Sequence, residues 1–182
     1  MPPFASAGDP LDFLIAPSLG RRIAAWLYEG VLLFGVAFMA NLIFAALTHG
    51  RGVLPAYRHP IQIFLFAIIG IYFVWCWSKG PGQTLAMKTW RIRAVDTRGQ
   101  RLTGSHALWR YLLCWVWFLP PLAAAAWFKL PLAASAALCL IWVLIWALAS
   151  RLRPDRQFWH DVWAGTRLVN ADPVRAAAPP TF

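Results

Sequence analysis

Residues 23–47 read IAAWLYEGVLLFGVAFMANLIFAAL, twenty-five positions in which Glu29 is the only charge. At 1.5 Å per residue such a helix is roughly 37 Å long, enough to cross a hydrocarbon core of about 30 Å with tilt. Three further apolar runs follow. Ile61–Trp77 is at the short end of a span and is closed by Ser78-Lys79-Gly80-Pro81-Gly82, a strong helix stop. Ala107–Phe128 carries Arg110 and the pair Pro120-Pro121, and Pro131–Ala149 is apolar except for Ser135. The pattern predicts an all-α polytopic membrane protein of about four transmembrane helices, 23–47, 61–77, 107–128 and 131–149. Two prolines in series remove backbone donors, so a short helix to Leu119 followed by one long span, three crossings in all, is the alternative. Lys129-Leu130-Pro131 reads as a tight loop between two spans and favours four, the third kinked.

Composition agrees. Of the 182 residues 60% are hydrophobic and 13% charged, about half the roughly 25% charged usual for a soluble domain. A chain this apolar does not stay disordered. The net charge of +10 leaves a basic soluble module open until the charges are placed along the chain. With the N-terminus inside, the cytoplasmic side receives Arg21, Arg22, Lys79, Lys88, Arg91, Arg93, Arg98, Arg101, Arg151, Arg153, Arg156, Arg167 and Arg175, thirteen of the seventeen Lys and Arg. The outside receives Arg51, Arg58 and Lys129. That asymmetry is the positive-inside pattern, and three crossings would move the five tail arginines outside. The expected location is therefore the plasma (inner) membrane, with both termini cytoplasmic. The partners expected are the bilayer and its anionic headgroups, and no nucleic acid, because the basic residues alternate with spans. Trp26, Trp75, Trp77, Trp109 and Trp127 fall at span ends, where an interfacial belt is expected, and Trp115, Trp117, Trp142 and Trp146 fall mid-span.

Cys76, Cys114 and Cys139 each lie within apolar runs and read as buried small hydrophobes, with no metal or other cofactor expected. The first twenty residues contain Asp9 and Asp12 without a basic-then-apolar pattern, so no cleavable signal peptide is expected. Segment 1–20 is taken as a cytoplasmic lead-in, 21–170 as the membrane domain and 171–182 as a disordered Ala- and Pro-rich tail.

The inner loop, 78–106, carries structure of its own. Thr84–Lys88 suits a short helix. Across Trp90–Asp96, Trp90, Ile92 and Ala94 alternate with Arg91, Arg93 and Val95, the period of a half-buried strand, and Gly99 suits a turn. In the tail, Phe158, Val162 and Trp163 recur at helical spacing, which predicts an amphipathic helix over 156–164 on the inner membrane face, capped by Gly165. Thr166–Asn170 is then a strand that pairs with Trp90–Asp96.

Glu29 is the residue whose position most needs an explanation. It lies about 9 Å along the helix from Ile23, where an ionised side chain costs about 2.5–3.5 kcal/mol. Arg22 is on nearly the same face, but about 10.5 Å away along the axis, and its side chain leans toward the headgroups. Arg110, about a turn into the third helix, lies near the depth of Glu29, and a Glu29–Arg110 pair is expected. The run Gln157-Phe158-Trp159-His160-Asp161 adds an imidazole beside a carboxylate.

Arg22-Ile23-Ala24-Ala25-Trp26-Leu27-Tyr28-Glu29 resembles the opening of the RDD family of membrane proteins, named for one Arg and two Asp. Gly82-Gln83-Thr84-Leu85-Ala86-Met87-Lys88 with Ile92-Arg93-Ala94-Val95-Asp96 resembles its inner segment, and Arg156-Gln157, His160-Asp161 and Ala164-Gly165-Thr166 resemble its closing one. The likeness runs from about Arg21 to Val169. Glu29 stands where the family has its first Asp; Asp161 is taken as the second, with Asp96 as the alternative. The resemblance implies a membrane protein of unresolved role, with transport of unknown ligands and antiporter-like activity suggested for some members. Two readings of Arg22, Glu29, Arg110, His160 and Asp161 follow. One is a structural charge cluster in a membrane scaffold or accessory protein. The other is a small cation or proton-coupled transporter using Glu29, which with four helices per chain would need a homo-oligomer. No GxSxG, HExxH or P-loop pattern is present, so no enzyme is expected.

Overall fold

The structure is a computed structural model that describes residues 16–51 and 54–171. Residues 1–15, Arg175 and the rest of the 172–182 tail lie outside the described residues, and with them the signal-peptide and disordered-tail expectations. The chain runs α1 (Leu19–Leu47), α2 (Arg58–Ser78), α3 (Leu85–Thr89), β1 (Ile92–Asp96), α4 (Gly104–Cys114), α5 (Leu119–Trp127), α6 (Leu132–Ala149), α7 (Trp159–Trp163) and β2 (Thr166–Asn170).

Three helices, α1, α2 and α6 with its final turn, are long and apolar enough to cross a membrane. The fourth candidate is a bent pair, Gly104–Trp117 with Leu119–Trp127, at 41° to one another. The kink expected in the third span is present and its cause is local. Pro120 and Pro121 have no N–H to give, so they are placed in the first turn of α5, where none is required; the chain breaks just upstream, at the tight turn Trp115–Trp117 and Phe118. Lys129, with φ 51°, turns the chain from α5 into α6, and Leu130 N–H bonds Ala125 O at 3.0 Å.

The span helices leave large apolar side chains such as Phe34, Phe38, Ile63 and Leu144 exposed. An apolar surface this extensive fits lipid rather than water. The buried core lies at one end, where Ala25 of α1, Trp77 of α2, Ala107 of α4 and Ala147 of α6 meet Met87, Ile92, Ala94, Phe158 and Leu168. There α2 and α4 approach closely because Gly70 offers no side chain: Tyr111 packs where a Cβ would stand 2.9 Å from its ring, and its hydroxyl donates to Phe66 O at 2.7 Å.

The cap over this end is the predicted two-stranded sheet. β1 and β2 pair antiparallel, with Ile92 opposite Asn170 and Asp96 opposite Thr166. Thr84 caps α3 by accepting from Met87 N–H at 3.2 Å, and Gly99 and Gly165 take the positive φ their turns need. Arg21 ties α1 to the sheet, donating to Asn170 Oδ1 at 2.8 Å. Gly82 lies against β1, its carbonyl accepting from Ala94 N–H at 2.9 Å. At φ +77° a Cβ on Gly82 would meet Ala94 O at 2.7 Å. Gly82→Ala is therefore expected to lose about 1–2 kcal/mol from the backbone conformation alone, read as a lower midpoint of thermal unfolding in detergent. Gly30→Ala, in the interior of α1 with open space around the new methyl, should leave the midpoint unlowered or raise it.

Four expectations are corrected. α2 runs three residues further at its start than 61–77. Trp77 is buried at 4% exposure rather than interfacial. Val95 is buried along with Ala94, so both faces of the small sheet are covered and the simple alternation fails. The tail helix is the short α7, not 156–164, because Phe158 is extended and Gln157 lies outside the helix: the Gln157 amide bonds both the N–H and the carbonyl of Leu168, each at 2.9 Å, and so acts as a rung beside β2.

Candidate functional site

Two polar constellations are buried beneath the cap. The first is centred on Asp161, which has no exposed surface. Its Oδ1 lies 2.8 Å from Arg110 Nη2 and 3.2 Å from His160 Nε2, as charge contacts off ideal hydrogen-bond alignment. Arg110 enters from α4, and His160 and Asp161 from α7. Arg22 adds its positive charge from the first turn of α1. The guanidinium groups are packed on aromatic faces that replace water: Arg110 lies 4.5 Å from the Trp77 ring centroid and Arg22 4.3 Å from that of Phe158. Even so, Nε and Nη1 of both arginines lack hydrogen-bond partners.

Charge decides the protonation here. Burial alone raises the pKa of Asp161, but the charge of Arg110, the Nε2–H of His160 and the charge of Arg22 more than reverse this and hold the carboxyl below its ordinary range. Trp117 Nε1 donates to His160 Nδ1 at 3.0 Å. That bond uses the Nδ1 lone pair, so the imidazole is neutral with its proton on Nε2, facing Asp161. The carboxylate favours a second proton on the ring, but the only nitrogen able to take it is occupied by the tryptophan donor.

The second constellation surrounds Glu29, 6% exposed. Tyr72 Oη of α2 donates to Oε1 at 2.7 Å, and the Thr84 hydroxyl, the cap of α3, donates to Oε2. One threonine hydroxyl thus accepts from a backbone amide and donates to a carboxylate, fixing α3 to α1.

Of the five residues singled out in the sequence, Arg22, Arg110, His160 and Asp161 come together, and Glu29 stands apart. The expected Glu29–Arg110 pair is not formed: Arg110 pairs with Asp161, because α4 packs on α2 and α7, whereas α1 packs on α2 and α3. Arg22 does not reach outward as expected but is 4% exposed. Asp96 serves its own turn, accepting at Oδ1 from Arg98 N–H at 2.9 Å and Gln100 N–H at 2.7 Å. The sequence reading missed Tyr72, Thr84, Trp77, Trp117 and Phe158 as site residues. Thr84 was visible as a helix cap ahead of an apolar run; the aromatics carried no signal apart from their number.

The helices and the capped charge cluster define a helical integral membrane protein whose inter-helix loop and C-terminal segment fold back over one end of the bundle. The chain belongs to the RDD family, whose pattern it matches over residues 16–165. Comparison with curated proteins and with solved structures gives no match.

Proposed function

We propose that the chain acts as a membrane scaffold or accessory protein, built round a structural cluster of Arg22, Arg110, His160 and Asp161, and is not an enzyme. The observation that carries this reading is the complete burial of Asp161, on α7, between the charges of Arg22 on α1 and Arg110 on α4. A carboxylate shared by three elements specifies how they pack, and a buried ionic group has its best-attested use in specifying an arrangement. Glu29 fits the same role, since both its oxygens are engaged by hydroxyls from α2 and α3. The positive-inside distribution supports a plasma-membrane location with both termini cytoplasmic.

The rival reading, cation or proton coupling through Glu29, draws on a carboxylate placed within a spanning helix. Proteoliposomes holding the full chain and a pH-sensitive dye separate the two. After a sodium or potassium jump, proton flux should equal that of empty vesicles. Cation-driven flux that disappears in Glu29→Gln would overturn the scaffold reading and establish the transporter.

A further inference from the structure

The positive charge beneath the cap exceeds its counter-charge. Arg22 and Arg110 share Asp161, His160 is neutral, and Glu29 is about 10.5 Å along the helix axis from Arg22. Burying a cation without a partner is costly, and it is tolerated where a ligand completes the pairing.

Arg22 shows where that ligand would bind. It is 4% exposed, its Nε and Nη1 are sealed from solvent without a hydrogen-bond partner, and the remainder of the residue lines a cavity of about 410 Å³ with Pro17, Ser18, Leu19, Arg151 and Arg156. Among the described residues no acidic side chain lines this cavity. Arg151 and Arg156 are exposed and form no ion pair among the described residues. The cavity opens at the N-terminus of α1, a helix of 29 residues, whose first-turn amides and dipole favour negative charge. Three guanidinium groups offer more donors than one carboxylate can accept. A phosphate, with several acceptor oxygens and up to two charges, matches them.

We propose that this cavity binds a phosphate-bearing anion, held by Arg22, Arg151, Arg156 and the first turn of α1. Its place at the ends of two spanning helices puts it at headgroup depth, and a dissolved phosphate offers the same chemistry. The proposal is independent of the scaffold reading: proton flux could overturn one without touching the other.

The test is thermal unfolding of the full chain in detergent micelles, titrated in parallel with short-chain phosphatidylglycerol and with inorganic phosphate, against sodium chloride at matched ionic strength. The expected result is a saturable rise in Tm with at least one of the two. Arg151→Gln/Arg156→Gln, at exposed positions, should leave the anion-free Tm unlowered and weaken binding at least tenfold. The charge-matched pair Arg98→Gln/Arg101→Gln should bind within twofold of wild type. A response to the lipid alone identifies a headgroup site, and a comparable response to inorganic phosphate identifies a soluble ligand; either supports the site. No saturable rise with either anion, or equal weakening by the two double variants, overturns it.

Discussion

Asp161→Ala is expected to lower unfolding stability by about 3–5 kcal/mol, the cost of leaving a buried charge without its partner. Arg110, with its side chain 5% exposed and 2.8 Å from the carboxylate, has no route to water without shifting α4. Arg22 loses the same counter-charge from the side of α1. Adding Arg110→Met should recover part of the loss, because the pair is removed together and not split; the double variant should be less damaged than the sum of the singles. Asp161 also gives the protein an acid-sensitive limb. Its folded pKa lies below its unfolded value, so its contribution is fully present above the unfolded carboxylate pKa of about 3.9 and is lost as pH falls through the lower folded value. Wild type should lose stability across that acid window, and Asp161→Asn should show a flatter profile there. Thermal unfolding in detergent as a function of pH reads both. A cost for Asp161→Ala below about 1 kcal/mol would mean the cluster does not organise the helices.

The second large effect is at Glu29. Glu29→Ala removes the acceptor of both Tyr72 and Thr84, and each buried donor left without a partner costs about 1–3 kcal/mol. Thr84 retains its bond from Met87 N–H, so the loss is expected to fall more on Tyr72. Glu29→Asp, a methylene shorter, should reach one hydroxyl but not both and lie between wild type and alanine. In a Tyr72→Phe/Thr84→Val background the Glu29→Ala loss should shrink, since no donors remain to be stranded. If the loss is the same in that background, the hydroxyls are not what Glu29 is retained for.

The sequence exposed some parts of this arrangement and hid others for physical reasons. Helix existence followed from apolar run length, and the pairing of Ile92–Asp96 with Thr166–Asn170 followed from alternation and the flanking glycines. The partner of Arg110 was not legible. Depth along an axis says nothing about which neighbour a side chain faces, and only the packing of α4 against α7 directs Arg110 to Asp161. Trp77 was misplaced for the same reason: its position marks the end of α2, but its ring turns inward beneath Arg110. The tail helix was overextended because a 3.6-residue period cannot reveal that the Gln157 side chain would bond Leu168 beside β2, ahead of the first helical turn.

The two strands also set an order of assembly. β1 precedes α4, and β2 follows α6, so the sheet encloses every intervening crossing in one closed chain segment. During synthesis β1 must wait, with Ile92, Ala94 and Val95 uncovered, until the last strand emerges. A chain stopped before Thr166 would carry all its spans yet leave that apolar underside open to proteases and chaperones. The sheet can therefore close only after the last spanning helix has been made.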